Sequence, residues 1–383
     1  MDLGVRQIPD LVALALVLWV QRWLGRRWLE RVHIRWHPTA KILIAASMVW
    51  AAFGIVTGIP TFYHMLPYRS WIEWLRAASL IWGYLSLLLA AFEWITRRLW
   101  SSSSFDPGRR RVLDFARTAV VAAPAMAVGH SVLIERHRFR TTEVEVMIKG
   151  LPKDLDGLQI VQLTDIHLGP FLGRHELQRA VDMANETGAN LALVTGDLIT
   201  MRRDELESCF EELRRLRADA GVLGCLGNHE IVGGCEDETA ERGAAEGIRF
   251  LRSERVPLRF GSAILNVAGV DYQPMRKPYL RGAERLVQPG AFNMLLSHNP
   301  DVFPVAARQG FDLTVAGHTH GGQVTVEILH QHINVARFFT PYTYGIYERD
   351  GRQIWVSRGL GTVGVPARIG APPEVALIRL CAT

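Results

Sequence analysis

Residues 159–169 read QIVQLTDIHLG, and residues 191–197 read LALVTGD. Each is a short apolar run that stops abruptly in polar residues, the pattern of a buried strand running into a loop. The pattern returns at residues 221–230 (GVLGCLGNHE), 292–300 (FNMLLSHNP) and 311–322 (FDLTVAGHTHGG). Helical periodicity lies between the early runs, at residues 174–187 and 204–217. Strands alternating with helices predict an α/β domain, with helices packed on the faces of a sheet and reacting groups gathered at strand ends. Upstream, Val144, Val146 and Ile148 recur at period two and predict one more strand, over 142–148, with an exposed face. There is no solenoid-type repeat, and the one low-complexity run is SSSS at 101–104.

The chain has 383 residues, room for two domains at ~150 residues each. With 49% hydrophobic and 21% charged residues it is neither a disordered nor a collagen-like chain. The net charge of +5 hides a split: residues 1–140 carry 18 Lys/Arg against 8 Asp/Glu, and residues 141–383 carry 25 against 30. Ten of the 11 Trp also lie in the first 140 residues. The basic excess therefore belongs to the Trp-rich, apolar part, and no nucleic-acid partner is expected. The four cysteines show no C-x-x-C spacing, which argues against a disulfide framework or a zinc ribbon. Cys225 lies in an apolar run and reads as a small buried hydrophobe.

Residues 1–140 read as a membrane region with about four transmembrane helices, at approximately 8–24, 42–60, 74–94 and 113–134. The first is the weakest, because its apolar centre covers only residues 11–20. Trp71, Trp74 and Trp94 suit interfacial anchors of the third. The loop at 22–41 holds six basic residues and the loop at 97–111 holds five, whereas the loop near 60–70 holds only Arg69. That alternation places the basic loops in the cytoplasm and residues 141–383 outside it, on a multi-pass protein of the bacterial inner membrane. Residues 104–113 (SFDPGRRRVL), followed by an Ala-rich apolar stretch, also resemble a twin-arginine signal, so the export machinery that reads it is a possible partner.

All five strand-like runs end in metal-ligand residue types: Asp165 and His167; Asp197; Asn228 with His229; His298; His318 and His320. Five of the 13 histidines fall there. One carboxylate can bridge two cations, and imidazoles with an amide oxygen can complete each shell. The D-x-H spacing is read as putting Asp165 and His167 on one face of a strand end, because positions i and i+2 share a side. No thiolate is among them, which argues against a structural zinc knot. Glycines beside the ligands let the backbone turn sharply and come close. His175 reads as a helix-start residue and not as a ligand.

These elements, D-x-H at 165–167, G-D at 196–197, G-N-H-E at 227–230, S-H-N-P at 297–300 and G-H-x-H at 317–320, resemble the signature of the calcineurin-like metallophosphoesterase superfamily. The resemblance covers about residues 145–383. The neighbouring text, AGHTHGGQ at 316–323 and SRGLGTVGVPARIGAPPEVALIRL at 357–380, is similar to a bacterial branch that joins membrane segments or a twin-arginine signal to this domain. The resemblance implies a metallophosphoesterase-type layered α/β/β/α sandwich, here preceded by a transmembrane α-helical region. It implies two divalent metal ions, Mn, Fe or Zn. The first would take Asp165, His167, Asp197 and His320; the second would take Asp197, Asn228, His298 and His318. His229 and Asn228 would be catalytic, His229 as leaving-group acid or charge stabiliser over the scissile phosphate. A hydroxide bridging two cations ~3.5–4 Å apart would attack phosphorus in line. One departure from the branch is the stretch EILHQH at 327–332, whose His330 and His332 read as strand surface sooner than as a further metal pair.

Substrate contacts are read from two basic and aromatic segments, YQPMRKPYLR at 272–281 and RFFTPYTY at 337–344. They offer Arg276, Lys277, Arg281 and Tyr342 to an anionic or lipid-linked substrate. The expected function is a membrane-anchored phosphoesterase acting on phosphodiester or pyrophosphate bonds of a lipid-linked or envelope substrate. Some relatives of the branch hydrolyse UDP-2,3-diacylglucosamine in lipid A synthesis, which is the alternative. A non-catalytic metal-binding membrane module is the alternative of another class.

Overall fold

The computed structural model describes residues 3–59, 62, 69–99, 115, 122–200, 205–274, 279–328 and 331–383. Two compact units divide the chain, Met1–Ser131 and Val132–Thr383.

The first unit contains helices Leu3–Leu29, His37–Gly58 and Ser70–Leu99. Pro38 sits in the first turn of the second helix, where its missing N–H has no intrahelical partner to lose. Small residues let this helix approach the next: a Cβ on Gly54 would come within 2.7 Å of Ser79 Oγ. Among the described residues two helices are long and apolar enough to cross a membrane, Ile34–Gly58 and Ser70–Arg98. Helix Leu3–Leu29 is not one of them, since Asp10 and Arg22 bound its apolar run. The fourth expected span begins outside the described residues, as does the arginine-rich stretch at 104–113; residues 122–133 are helical.

The second unit is built from fourteen described strands. In chain order they are β1 Arg140–Ile148, β2 Gln159–Leu163, β3 Leu191–Thr195, β4 Val222–Cys225, β5 Ile248–Phe250, β6 Glu254–Phe260 and β7 Ala263–Gly269. There follow β8 Phe292–Leu296, β9 Leu313–Ala316, β10 Thr325–Ile328, β11 Gln331–Asn334, β12 Gly345–Arg349, β13 Arg352–Val356 and β14 Glu374–Ala382. They form two six-stranded sheets, β1-β14-β2-β3-β4-β5 and β12-β13-β9-β8-β7-β6, and a β10-β11 ribbon. In the first sheet β2, β3, β4 and β5 run parallel; in the second β7, β8, β9 and β13 do. The ligand-bearing loops therefore leave their sheets from the carboxyl ends of parallel strands.

Alternation decides what each strand buries. In β2 and β3, Ile160, Leu191 and Leu193 face the second sheet, where they meet Leu265, Met294 and Val315. Val161, Leu163, Ala192 and Val194 face outward, onto Leu177, Val181 and Phe210 of helices Arg174–Glu186 and Leu206–Leu213. Beyond the second sheet, Phe303 of helix Phe303–Gln309 packs with Ala316 and Ile354. The result is an α/β/β/α stack. The helix read over 204–217 is shorter than its pattern. Arg215 and Leu216 donate to Glu212 and Leu213, tight i→i−3 bonds that close the last turn.

One polar side chain crosses between the sheets below the ligand loops. Gln162 of β2 donates to Thr195 Oγ1 at 2.7 Å and to the Ala316 carbonyl at 3.1 Å, and accepts from Trp355 Nε1 at 2.9 Å. Gln162→Leu should leave Thr195 Oγ1 and Trp355 Nε1 without this partner, at about 1–3 kcal/mol per orphaned group, while the Ala316 carbonyl keeps the Ser357 N–H at 3.0 Å. Urea unfolding followed by circular dichroism would read that loss; an unchanged midpoint would show that the bridge is dispensable.

Candidate metal centre

Strand β2 ends at Leu163, and the next residues continue pairing without being strand. Asp165 N–H donates to the Gly196 carbonyl at 3.1 Å, and His167 N–H to that of Asp197 at 3.0 Å. Asp165 and His167 thus lie in a loop, with φ of 50° and 48°, and not on one face of a strand end. Their side chains converge through left-handed backbone. Asp197, His318 and His320 share that conformation, so five of the nine described non-glycine residues with positive φ belong to this cluster. Such backbone costs about 1–3 kcal/mol per residue and survives where the surroundings hold it.

The surroundings do hold it. Glu230 accepts from Gly227 N at 2.7 Å, Leu198 N at 2.7 Å and Asp197 N at 3.0 Å, joining the loops after β3 and β4. Gly227 and Gly317 lie so close that a Cβ would come within 2.1 Å of Asp197 Oδ1 or 2.3 Å of Asp165 Oδ2. The segment before β14 closes the far side, where Gly361 N–H donates to the Asp165 carbonyl at 2.6 Å. Arg368, fully buried, donates to the carbonyls of Arg358, Gly359, Gly361 and Ala371 and fixes that segment.

Within this frame the ligand-type atoms crowd together. His298 Nε2 is 3.0 Å from Asp197 Oδ2 and 3.9 Å from Asp165 Oδ1; His320 Nε2 is 3.4 Å from Asp165 Oδ1; His167 Nε2 is 3.5 Å from Asp197 Oδ2. Three groups bring their ligand atoms within 4.8 Å of one another: Asp165, His167 and His320; His167, Asp197 and His229; Asp197, His298 and His318. The Nε2 atoms of His167 and His320 are 3.1 Å apart, a separation that requires a shared proton or a cation between them. His298 Nδ1 faces the Thr195 carbonyl at 2.8 Å and must donate there, so Nε2 is the atom aimed at the carboxylates, carrying a proton in the metal-free chain and offering its lone pair only to a cation. Asn228 Oδ1 is buried with no hydrogen-bond donor. A nitrogen and oxygen donor set with an orphaned amide oxygen fits a divalent cation.

Burial, then neighbouring imidazoles, pushes His318 down to about 4 and holds His167 and His320 well below their ordinary value. They are neutral, the form that donates a lone pair. Burial also opposes a proton on His298, but Asp197 and Asp165 overcome it and raise this group to about 10. Burial would raise Asp197 too, yet His298 and His229 keep it well below the usual carboxylate range.

The other sequence-derived residues fall elsewhere. Arg276 and Lys277 lie outside the described residues, as does His330. Arg281 is exposed. Tyr342 packs edge-on against Phe303 and Tyr347, in the outer layer of the second sheet. His175 is exposed in the first turn of helix Arg174–Glu186. All four cysteines are free. Tyr272, quoted in the first substrate segment without a role, brings its ring 5.6 Å from that of His318 and 6.1 Å from that of His298. Burial, then Asp197, pushes its phenol up to about 12, so it stays a hydrogen-bond donor. Glu230 was legible only as part of a motif, and Arg368 gave no sign beyond its Gly-rich surroundings.

These shifts set a pH profile for the metal-stripped chain. His167, His318 and His320 sit below the unfolded value of 6.5, so their contribution is full above 6.5 and fades as pH falls towards the value of about 4 for His318. His298 sits above it, so its contribution is full below 6.5 and fades as pH rises through about 10. Denaturant unfolding in chelator should show stability dropping on both flanks of neutrality. A flat profile from pH 4 to 10 would contradict the arrangement of charges.

Residues 158–322 match the family model described as calcineurin-like phosphoesterase. The chain is 29% identical to the metallophosphoesterase YkuE of Bacillus subtilis over 67% of its own length and 90% of that protein's. It is 30% identical to a transmembrane protein with metallophosphoesterase domain of Danio rerio, over 73% of its own length and 64% of the relative's. A metallophosphoesterase of Campylobacter jejuni, Cj0846, is 28% identical over 62% of each. The chain thus spans less than two thirds of those two relatives and nearly all of the first. The fold and the family match agree: residues 158–322 form a calcineurin-like metallophosphoesterase domain, the type that hydrolyses phosphoester bonds.

Proposed function

We propose that the chain is a membrane-anchored, binuclear phosphodiesterase or pyrophosphatase acting on a lipid-linked or envelope substrate outside the cytoplasm. The observation that carries the chemistry is the meeting of Asp165, Asp197, His167, His298, His318 and His320 in one buried cluster, with Asn228 Oδ1 unpartnered beside it. Asp165, His167, Asp197 and His320 would hold one cation, and Asp197, Asn228, His298 and His318 the other. When bound, the two metals supply the Lewis acidity that activates water and offset charge developing on the phosphoryl oxygens.

The protein's own part is orientation and proton delivery. Asp197 Oδ1 accepts from His229 N–H at 2.9 Å, and His229 Nδ1 faces the Thr200 carbonyl. Held this way, Nδ1 keeps its hydrogen and Nε2 is the atom that meets a departing oxygen. Tyr272 adds a phenol that can donate to a phosphoryl oxygen.

Two features favour a lipid-linked substrate. Val232, three residues from His229 in helix Asn228–Gly233, is 57% exposed. Phe338 is 85% exposed in the turn after Asn334, and the Asn334 side chain abuts Gly322 behind His320. Both exposed apolar side chains thus sit on segments that carry the cluster's loops or touch them. The apolar helices favour membrane anchoring, and the charge alternation of the loops favours an exported domain. A cytoplasmic UDP-linked lipid would require the opposite orientation, which ranks the lipid A reading second.

Mn-loaded protein should hydrolyse bis-nitrophenyl phosphate and lose that activity in chelator. His229→Ala should slow an alkyl diester by about 100-fold or more and a nitrophenyl ester far less, because only the alkoxide needs the proton. Equal losses on both esters would remove the acid role, and metal binding without turnover of any diester would favour the binding-module reading.

Alkaline phosphatase fused after residue 140 should be active if the domain is exported. An inactive fusion, with a cytoplasmic reporter active at the same point, would reverse the orientation.

A further inference from the structure

A cavity of about 430 Å3 lies among the three helices of the first unit, a size at which small-molecule sites begin. Leu24, Leu43 and Leu89 contribute apolar wall. Its polar side is a relay: Trp82 Nε1 donates to Ser47 Oγ at 2.9 Å, and Ser47 Oγ donates to Gln21 Oε1 at 2.7 Å. Gln21 lines the cavity and is 5% exposed, and its Nε2 has no acceptor. A buried amide N–H without an acceptor is costly, most of all where lipid replaces water. Less than two turns along the same helix, and again just past its end, the lining becomes cationic, with Arg27 and Arg31. Glu93 is shared by Arg31 at 2.6 Å and Arg97 at 2.8 Å, and Arg27 pairs with Glu30 at 3.3 Å. Among the described residues three guanidinium groups meet two carboxylates here, a net positive charge.

We propose that the cavity binds one phosphate-bearing membrane lipid. Its acyl chain lies along the leucines, its ester carbonyl accepts from Gln21 Nε2, and its phosphate lies by Arg27 and Arg31. Such an occupant satisfies the one orphaned donor and the excess charge together. The site is separate from the metal centre and rests on the reading of these helices as membrane-embedded.

Native mass spectrometry of the full chain, purified in neutral detergent and stripped of metal, tests this with dioleoylphosphatidylglycerol, dioleoylphosphatidylcholine and inorganic phosphate. One phosphatidylglycerol should be retained about fivefold over phosphatidylcholine, and excess inorganic phosphate should not displace it. Gln21→Leu should cut retention about tenfold. Leu89→Trp, which fills the wall and leaves the amide in place, should do the same. Equal retention of the two lipids, displacement by free phosphate, or retention unchanged in both variants would overturn the proposal. A chain that stays in solution without detergent would remove the membrane reading itself. A chain that needs detergent and hydrolyses a diester after metal is restored, yet holds no lipid, would remove the cavity site alone.

Discussion

Two carboxylates buried side by side constrain the whole domain. Asp165 and Asp197 are essentially inaccessible, and both lie within 4 Å of one imidazole nitrogen of His298. Burial raises Asp165 to about 6, against the pull of His298 and with a push from Asp197. Without cations the pair cannot both ionise cheaply, and the surrounding imidazoles are mostly too deeply buried to be those cations. The fold nevertheless spends left-handed backbone at five of these residues to keep them together. A cluster that disfavours its own metal-free state to this degree gains stability from whatever divalent ion it binds.

The supports of that pair are themselves polar and buried. Glu230 gathers three backbone N–H groups from two loops, and burial with the nearby Asp197 raises its own affinity for a proton. Gln162 ties the sheets together below the site, and Arg368 gathers the carbonyls of the closing segment. Each is satisfied by several partners, which is the condition for a buried polar network to rigidify a structure. Rigidity matters here because ligand atoms from five loops must hold their spacing while a substrate enters between them.

The central strands were legible because each is buried on both faces, so Leu191–Thr195 reads as an unbroken apolar run with a sharp end. The ligand types were legible for a related reason: His and Asp at the ends of such runs have little structural excuse to be there. The order of strands was not, since pairing depends on contacts that leave no local period. β14, at the end of the chain, inserts between β1 and β2, and nothing in its sequence announces that neighbour. The D-x-H reading erred because strand geometry was carried past Leu163, where left-handed φ takes over. Gly359 and Gly361 were readable as glycines but not as the floor beneath Asp165, because a close approach involves a partner distant in sequence. Tyr342 was read as a substrate contact from its place beside prolines and threonines; its packing between Phe303 and Tyr347 involves partners distant in the fold that its own segment does not announce.

Under the proposed function the cluster would recognise a tetrahedral anion and little more, since metal-type ligands and His229 would all address phosphoryl or leaving-group oxygens. Discrimination among phosphate esters must then come from the rim. Val232 and Phe338 are exposed apolar side chains on segments next to the loops, and Tyr272 brings a phenol beside His318. A fully soluble sugar phosphate would leave the apolar part wet, whereas an amphiphile would cover it and gain roughly 25 cal/mol for each Å2 removed from water. Exposed apolar side chains on a domain joined to apolar helices also suit a reactant confined to two dimensions, because tethering raises its local concentration without any new contact.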